Sequence, residues 1–322
     1  MEFNIETYLN SLPKDIETID ISTRDLTFLP SLSRFKNLIK LNCSNNQLIS
    51  LPPLNENLKE LHCSNNQLIS LPSLNEKLEL LYCENNQLIS LPPFNENLKT
   101  LGCYSNQLTF LPHLNENLQN LGCGKNQLTS LPDLTENLKA LYCGSNQLTY
   151  LPHLNEKLEI LYCCKSKLTS LPYLNVNLKK LGCDNNQLTS LPPFNEKLEI
   201  VNCCDNQLTY LPHLNENLKE LYCSNNQLTY LPHLNENLIV MYFDTPIREI
   251  INGETTNQKR IQIQILNNFR HLYYSLKYKK KFRDWLWVKI REPKIRLKYS
   301  HSYLIENLKE DTDLDEFLDN WL

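Results

Sequence analysis

From Leu38 to Val240 the pattern of apolar and polar positions repeats every twenty residues without a slip, so Leu38, Leu58, Leu78, Leu98 and their successors to Leu238 fill one slot. A fixed period of that length marks a solenoid built of stacked coils. One copy, LKELHCSNNQLISLPSLNEK from Leu58, carries six apolar slots: Leu58, Leu61, Cys63, Leu68, Leu71 and Leu74. A lone coil has nothing to bury them against, and stacking supplies the partner. Each buried Leu contributes on the order of 1.5 to 3 kcal/mol, so the array is stable only as a stack with covered ends. Alternation from Leu61 to Cys63 predicts a short strand with His62 and Ser64 outward. The recurrent Leu-Pro disfavours helix on the return side, because proline lacks an amide hydrogen and biases the preceding residue towards extended backbone. Extended or polyproline-like segments are predicted there.

A degenerate copy precedes the regular ones. Ile16, Ile19, Ile21, Leu26, Leu29 and Pro30 take the slots of Leu58, Leu61, Cys63, Leu68, Leu71 and Pro72, with two extra residues before Leu38. Asn46, Asn66, Asn86, Asn106, Asn126, Asn146, Asn186, Asn206 and Asn226 form a column at the turn leaving the strand. A buried amide there can satisfy backbone groups of its own coil and the next. Ser166 interrupts the column in a unit that also carries Lys167 for Gln and Val176 for Glu. A buried hydrogen bond lost without replacement costs about 1 to 3 kcal/mol, which makes 158–177 the expected weak coil.

Leu58, Leu61, Cys63, Asn66 and Leu68 spell L-x-x-L-x-C-x-x-N-x-L. This resembles the leucine-rich repeat signature with Cys in a slot that more often holds Leu, and the Leu71-Pro72 pair and twenty-residue length are similar to its shortest class, found in secreted bacterial effectors. The resemblance covers roughly residues 12 to 243. It implies an α/β repeat solenoid, an arc whose concave face is a parallel β-sheet, and protein binding as the usual activity.

Ten of the twelve cysteines, from Cys43 to Cys223, occupy one core slot, and Cys164 and Cys204 stand beside two of them. As small buried hydrophobes they belong to a reducing compartment. The disulfide-linked end caps usual in extracellular family members are missing, MEFNIETYLNSLP does not read as a secretory leader, and no eighteen-residue apolar run is present. These features predict an intracellular protein with no membrane span. Cys164 and Cys204 would lie two coils apart, roughly 10 Å, too far to share one zinc. His113, His153, His213 and His233 recur in one slot, each three residues after Phe110, Tyr150, Tyr210 or Tyr230. Duplication of a variant unit explains that coupling, with ring packing as a further expected benefit. No base, nucleophile and orienting group are gathered, so neither catalysis nor a cofactor or metal is expected.

The nine glutamates of the Glu56 column form a stripe, and the units carry one lysine beside it, as Lys59 or as Lys77 with Glu79, with Gln119 an exception, which reads as solvated balance. Outward strand slots are free to vary and point to the binding face. One such column runs Asn42, His62, Tyr82, Gly102, Gly122, Tyr142, Tyr162, Gly182, Asn202, Tyr222 and Tyr242, with Tyr104, Gly124, Gly144, Leu80 and Ile160 alongside. Glycines clear ground and tyrosines offer rigid, amphipathic contact area. High strand propensity would also place tyrosine in a free slot. The expected partner-binding residues are Tyr82, Tyr104, Tyr142, Tyr162, Tyr222 and Tyr242.

After about Asp244 the repeat stops. Residues 248–298 hold fourteen Lys or Arg against four acids, and 299–322 hold one Lys against seven. Apolar spacing from Ile261 to Leu276 and from Phe282 to Ile290 predicts helices, with two shorter ones at 303–308 and 314–322. The expected organisation is an N-terminal cap (1–15), the repeat solenoid (16–243) and a helical C-terminal module (244–322) that caps the last coil or recruits a second protein. Lys277, Lys279, Lys280, Lys281 and Arg283 among Tyr274, Tyr278 and Trp285 leave nucleic-acid binding open, set against the acidic tail. The tail from Trp285 resembles a tail on uncharacterised proteins of mimivirus-type giant DNA viruses, and the phrase CSNNQLTYLP at Cys223 is similar to leucine-rich proteins of the same viruses, which implies a host-cytoplasmic location, with the virion as a second one, and a host or viral protein partner or a purely structural, virion-associated role. Effectors with this short repeat often append a cysteine-dependent ubiquitin ligase, but residues 224–322 contain no cysteine to serve it.

Overall fold

A computed structural model describes residues 3–228, the strand at 240–242 and scattered single positions between 232 and 293. Helix α1 (Ile5–Ser11) opens the chain, and Asn4 caps it by accepting the Thr7 N–H at 2.9 Å. Ile5 and Leu9 are buried, and the Arg34 guanidinium donates to the carbonyls of Leu9 and Leu12, tying the helix end to the first coils.

Twelve three-residue strands follow, β1 at Thr18–Asp20, β2 at Lys40–Asn42, and then one every twenty residues to β12 at Val240–Tyr242. They form one parallel sheet in sequence order, so each coil pairs only with its neighbours. The middle residue of each strand from β1 to β11 points inward (Leu41, Leu61, Leu81) and the outer two lie on the concave face, as the alternation predicts. Backbone pairing runs past the strands into the turn, where the Cys43 N–H bonds the His62 carbonyl and the Asn45 N–H that of Ser64. No helix forms on the return side of the described coils, in keeping with the prolines.

The core is less even than six equivalent slots. Leu58, Leu61, Cys63 and Leu68 and their counterparts are sealed, whereas Leu71 and Leu74 are half-buried. Where His fills the slot after Leu-Pro, the next residue is sealed too, as at Leu114, Leu154 and Leu214. His113, His153 and His213 themselves are exposed. None forms a ring contact with Phe110, Tyr150 or Tyr210, so the anticipated stacking is not the reason for their coupling.

The asparagine column carries the heaviest hydrogen-bonding duty. Asn126 donates to the carbonyls of Cys103 in the preceding coil and of Cys123 and Gly124 in its own, and its Oδ1 accepts the Leu108 N–H at 3.0 Å. The turn that lets it reach inward places the residue before it in the left-handed region. Asn45, Asn65, Lys125 and Lys165, among others, have φ between 50° and 56°, a conformation most tolerable to Asn and Asp. Ser166 breaks the column as expected, its hydroxyl buried with no partner among the described residues.

A second ladder, which the sequence reading missed, runs along the return side. Asn95 donates to the Asn75 and Leu78 carbonyls and accepts the Asn97 N–H, while Asn97 donates to the Glu76 carbonyl. Both asparagines of the N-E-N turn are therefore structural. Thr135 interrupts this ladder, and its hydroxyl is likewise unpartnered.

The lysines do not balance the Glu56 column. Lys99, Lys179 and Lys219 pair instead with Glu79, Glu159 and Glu199 of the preceding coil at 2.6 to 2.7 Å. Lys77, Lys157 and Lys197 donate to the Asn57, Asn137 and Asn177 side chains. The reason is geometric: the same slot on the next coil is one strand spacing away, and a lysine reaches it without bending back. The pairing holds the Glu79 and Glu199 carboxyls below their usual range, through the hydrogen bond from lysine foremost. These exposed pairs add little stability.

The chain divides into two units, Met1–Ile263 and Gln264–Leu322. The second unit falls almost wholly outside the described residues, as do the helices expected in it.

The ladder makes a stability test direct. Asn126→Ala should cost on the order of 3 kcal/mol, since several buried backbone groups lose their partner at once, and Ser166→Asn should gain about 1 to 3 kcal/mol. Shifts of the urea midpoint in opposite directions are the expected outcome; a neutral Ser166→Asn would show that this coil has another source of strength.

Candidate functional site: the concave tyrosine face

Parallel pairing in constant register sets the concave columns side by side. Tyr82 neighbours Gly102, Gly102 neighbours Gly122, Gly122 neighbours Tyr142, and Tyr142 neighbours Tyr162, which neighbours Gly182. Tyr82 and Tyr142 are thus three strand steps apart, roughly 15 Å.

Each glycine on this face does a particular job. A methyl group at Gly102 would run into the Glu84 carboxylate first and lie 2.7 Å from the Tyr82 ring, and one at Gly182 would overlap the Tyr162 ring. Both rings therefore lean over the next coil and lie on its bare backbone. Tyr104 does the same over Gly124, where an added Cβ would meet its ring at 2.9 Å. Gly144 leaves room for the Cys164 thiol, 2.7 Å from where a Cβ would stand. Gly122 differs, because a Cβ there meets nothing closer than 3.8 Å. It floors an open notch between the Tyr82 and Tyr142 sides.

The tyrosines expected from the sequence fall into three groups. Tyr142 and Tyr162 stack with ring centroids 5.5 Å apart and planes within 5°, and Tyr142 remains 42% exposed. Tyr104 is 44% exposed in the adjoining column, two coils before Tyr142. Tyr82 packs against His62 at 5.2 Å. Further along, the Tyr222 hydroxyl donates to Glu220 at 3.1 Å, apart from the central group. Tyr242 lies in β12, and its side chain is outside the described residues.

Charge gives this face a direction that the tyrosine pattern alone did not reveal. From Thr100 to Lys167 no strand or turn-leaving segment (100–107, 120–127, 140–147, 160–167) contains a carboxylate, while Lys125, Lys165 and Lys167 project from the turns and are exposed. Acidic groups bracket the stretch. Glu84 accepts the Ser64 hydroxyl on one side, and Asp184 accepts the Asn202 amide at 3.0 Å on the other. The sequence signal was available, since lysine replaces Asn or Gln in these turn slots in just these coils.

The chemistry of the buried thiols is inert. Desolvation pushes Cys43 and Cys123 up to about 12, and Cys63, Cys83, Cys103, Cys143, Cys163, Cys183 and Cys203 upward for the same reason. Cys164 and Cys204 are half-buried, and burial raises them as well. All twelve cysteines are free, and among the described residues no three His, Cys, Asp or Glu side chains converge as a metal site would require. Nor is any described helix long and apolar enough to cross a membrane.

Solved structures share this architecture. YopM from Yersinia enterocolitica WA-314 aligns at 35% identity over 73% of this chain and 52% of its own, with a TM-score of 0.71. YopM of Yersinia pestis, described as a leucine-rich effector protein, aligns at 35% identity over 74% of this chain and 67% of its own, TM-score 0.68. The leucine-rich repeat domain of APL1B, at 19% identity over 70% of this chain and 73% of its own, shares the fold, TM-score 0.56. No protein-family model matches the sequence, and no curated protein does. The chain belongs to the leucine-rich repeat proteins, in the class with twenty-residue coils. It spans about half the length of the Y. enterocolitica protein.

Two outcomes check this site. Gly182→Ala should displace the Tyr162 ring, unstacking Tyr142 and costing about 1 to 3 kcal/mol, whereas Gly122→Ala should be nearly silent; near-ultraviolet circular dichroism and urea midpoints read both. The thiol column makes the fold alkali-sensitive. Folded thiols stay protonated while unfolded ones ionise above about pH 9, so unfolding releases protons there. Stability is full below that pH and falls as the pH climbs towards about 12, by about 1.4 kcal/mol per pH unit for each buried thiol. Cooperative loss of the far-ultraviolet signal between pH 9 and 11 is expected, and a chain still folded at pH 11 would contradict it.

Proposed function

We propose that this protein is a non-catalytic binding module that holds a protein partner on its concave face, with Tyr104, Tyr142 and Tyr162 as anchors and Tyr82 across the Gly122 notch. The observation that carries this reading is the Tyr142–Tyr162 stack, half open to solvent and seated on ground cleared by Gly182. Aromatic side chains pre-positioned on a rigid sheet lose little entropy on binding, which is the usual makeup of an interface hot spot. The kinship with the leucine-rich effector YopM supports a protein-interaction role. The three lysines, and the lack of any carboxylate in the strand and turn-leaving segments of the central coils, favour a partner segment that is acidic or neutral where it meets the turns. Tyr222 and Tyr242 extend the same face towards the last coils.

The free, protonated thiol column fits a reducing compartment, and we place the protein in a cytoplasm, with a host or viral protein as partner. Capture from host-cell cytosol at physiological salt tests the reading. The intact chain is compared with one carrying Tyr82→Ala, Tyr142→Ala and Tyr162→Ala. A partner held by the first and released by the folded second is the expected result. Identical captures would move the binding surface off the concave face.

A further inference from the structure

Outside the concave face, the return side carries an apolar feature that neither the core nor the tyrosine site uses. Ile49, Ile69 and Ile89 occupy one slot in three successive coils and are 59%, 57% and 61% exposed. Every later described coil has Thr in that slot, at Thr109, Thr129, Thr149, Thr169, Thr189 and Thr209. The stripe ends in an exposed phenyl ring at each side, Phe28 one coil before Ile49 and Phe110 one coil after Ile89. Both rings sit in the slot that follows the isoleucine slot. Across five coils the order is therefore Phe, Ile, Ile, Ile, Phe, symmetric about Ile69.

We infer that this stripe is a self-association surface, through which two copies of the chain pair about a two-fold axis passing close to Ile69. An isologous interface requires that if residue i of one copy meets j of the other, j also meets i. Antiparallel pairing about Ile69 meets that condition along the whole stripe: Ile69 faces Ile69, Ile49 faces Ile89, and Phe28 faces Phe110. The constant coil spacing keeps the two stripes in step, because both copies advance by the same strand-to-strand distance.

Charge and area point the same way. Residues 44–55, 64–75 and 85–95, the turns and return segments around the three isoleucines, contain no charged side chain. Two such surfaces meet without like-charge repulsion, and Gln47, Gln67 and Gln87, all exposed, supply a neutral polar rim. Five side chains more than half exposed, on the order of 100 Å² each, give an apolar strip as large as the biggest patches on monomeric proteins. With the glutamine rim the strip approaches the roughly 800 Å² per partner of a standard stable interface.

Sedimentation equilibrium of the full chain over a wide concentration range tests the pairing. A limiting mass of twice 37.8 kDa is expected. Ile49→Thr, Ile69→Thr and Ile89→Thr together should abolish the dimer and leave the circular dichroism unchanged, since threonine is native to this slot elsewhere in the array. Register is read separately by cysteine cross-linking under mild oxidation, with the intact chain as background. Ile69→Cys alone should form a covalent dimer. Ile49→Cys should not link to itself but should link to Ile89→Cys when the two variants are mixed. A monomer at every concentration, a dimer that survives the triple substitution, or Ile49→Cys linking to itself would each overturn the proposal, as would a dimer that forms but yields no Ile69→Cys cross-link.

Discussion

Everything in this molecule depends on a buried amide that belongs to two coils at once. A strand of three residues is too short to hold a coil in place, and the coil has no helix to stiffen its return. The asparagine after the strand closes that gap. It donates to carbonyls of its own coil and of the preceding one and accepts a backbone N–H from that preceding coil, so each coil is hydrogen-bonded to the next at a point sealed from water. The asparagine of the N-E-N turn repeats the arrangement on the opposite side. Leucine burial provides the driving force and the paired ladders provide the alignment. Leucines alone would tolerate sliding by a fraction of a coil, whereas an amide with four fixed partners does not.

That alignment is what makes a functional face available. Because successive strands never shift, any outward slot becomes a straight column, and a ring in one coil always finds the same neighbour in the next. A tyrosine followed by glycine can then lie down, and a tyrosine followed by tyrosine must stack. The geometry of Tyr82, Tyr142 and Tyr162 follows from this rule and from which residue comes twenty positions later.

The repeat period, the strand positions, the sealed slots and the first asparagine column were all legible in the sequence, because each rests on a spacing that the chain repeats many times over. What escaped had a different cause in each case. The second ladder was hidden because a turn rich in Asn reads as solvated, and its burial arises only when coils stack. The lysine partners were assigned within a coil, but stacking brings the nearest carboxylate from the coil before. The left-handed residue in every turn gave no signal of its own, since Lys125 and Lys165 occupy it as well as Asn45 and Asn65. The tyrosine columns were visible as a list; their grouping around the open Gly122 notch was not, since it depends on which way each ring leans.

Both ladders are interrupted once, at Thr135 and at Ser166, in adjoining parts of the array and close to the stacked tyrosines. Elsewhere the two amide ladders join one coil to the next in the same way, so losing or duplicating a twenty-residue cassette would leave them continuous. The number of coils is therefore a free variable for a gene encoding this chain, and tandem copies invite changes in it by unequal recombination. The two faulted coils are the exception: each carries a buried hydroxyl without a partner where the neighbouring coils carry a bonded amide. They act as a landmark in an otherwise periodic chain, and the tyrosine pair keeps its place by reference to them however many coils are gained or lost on either side.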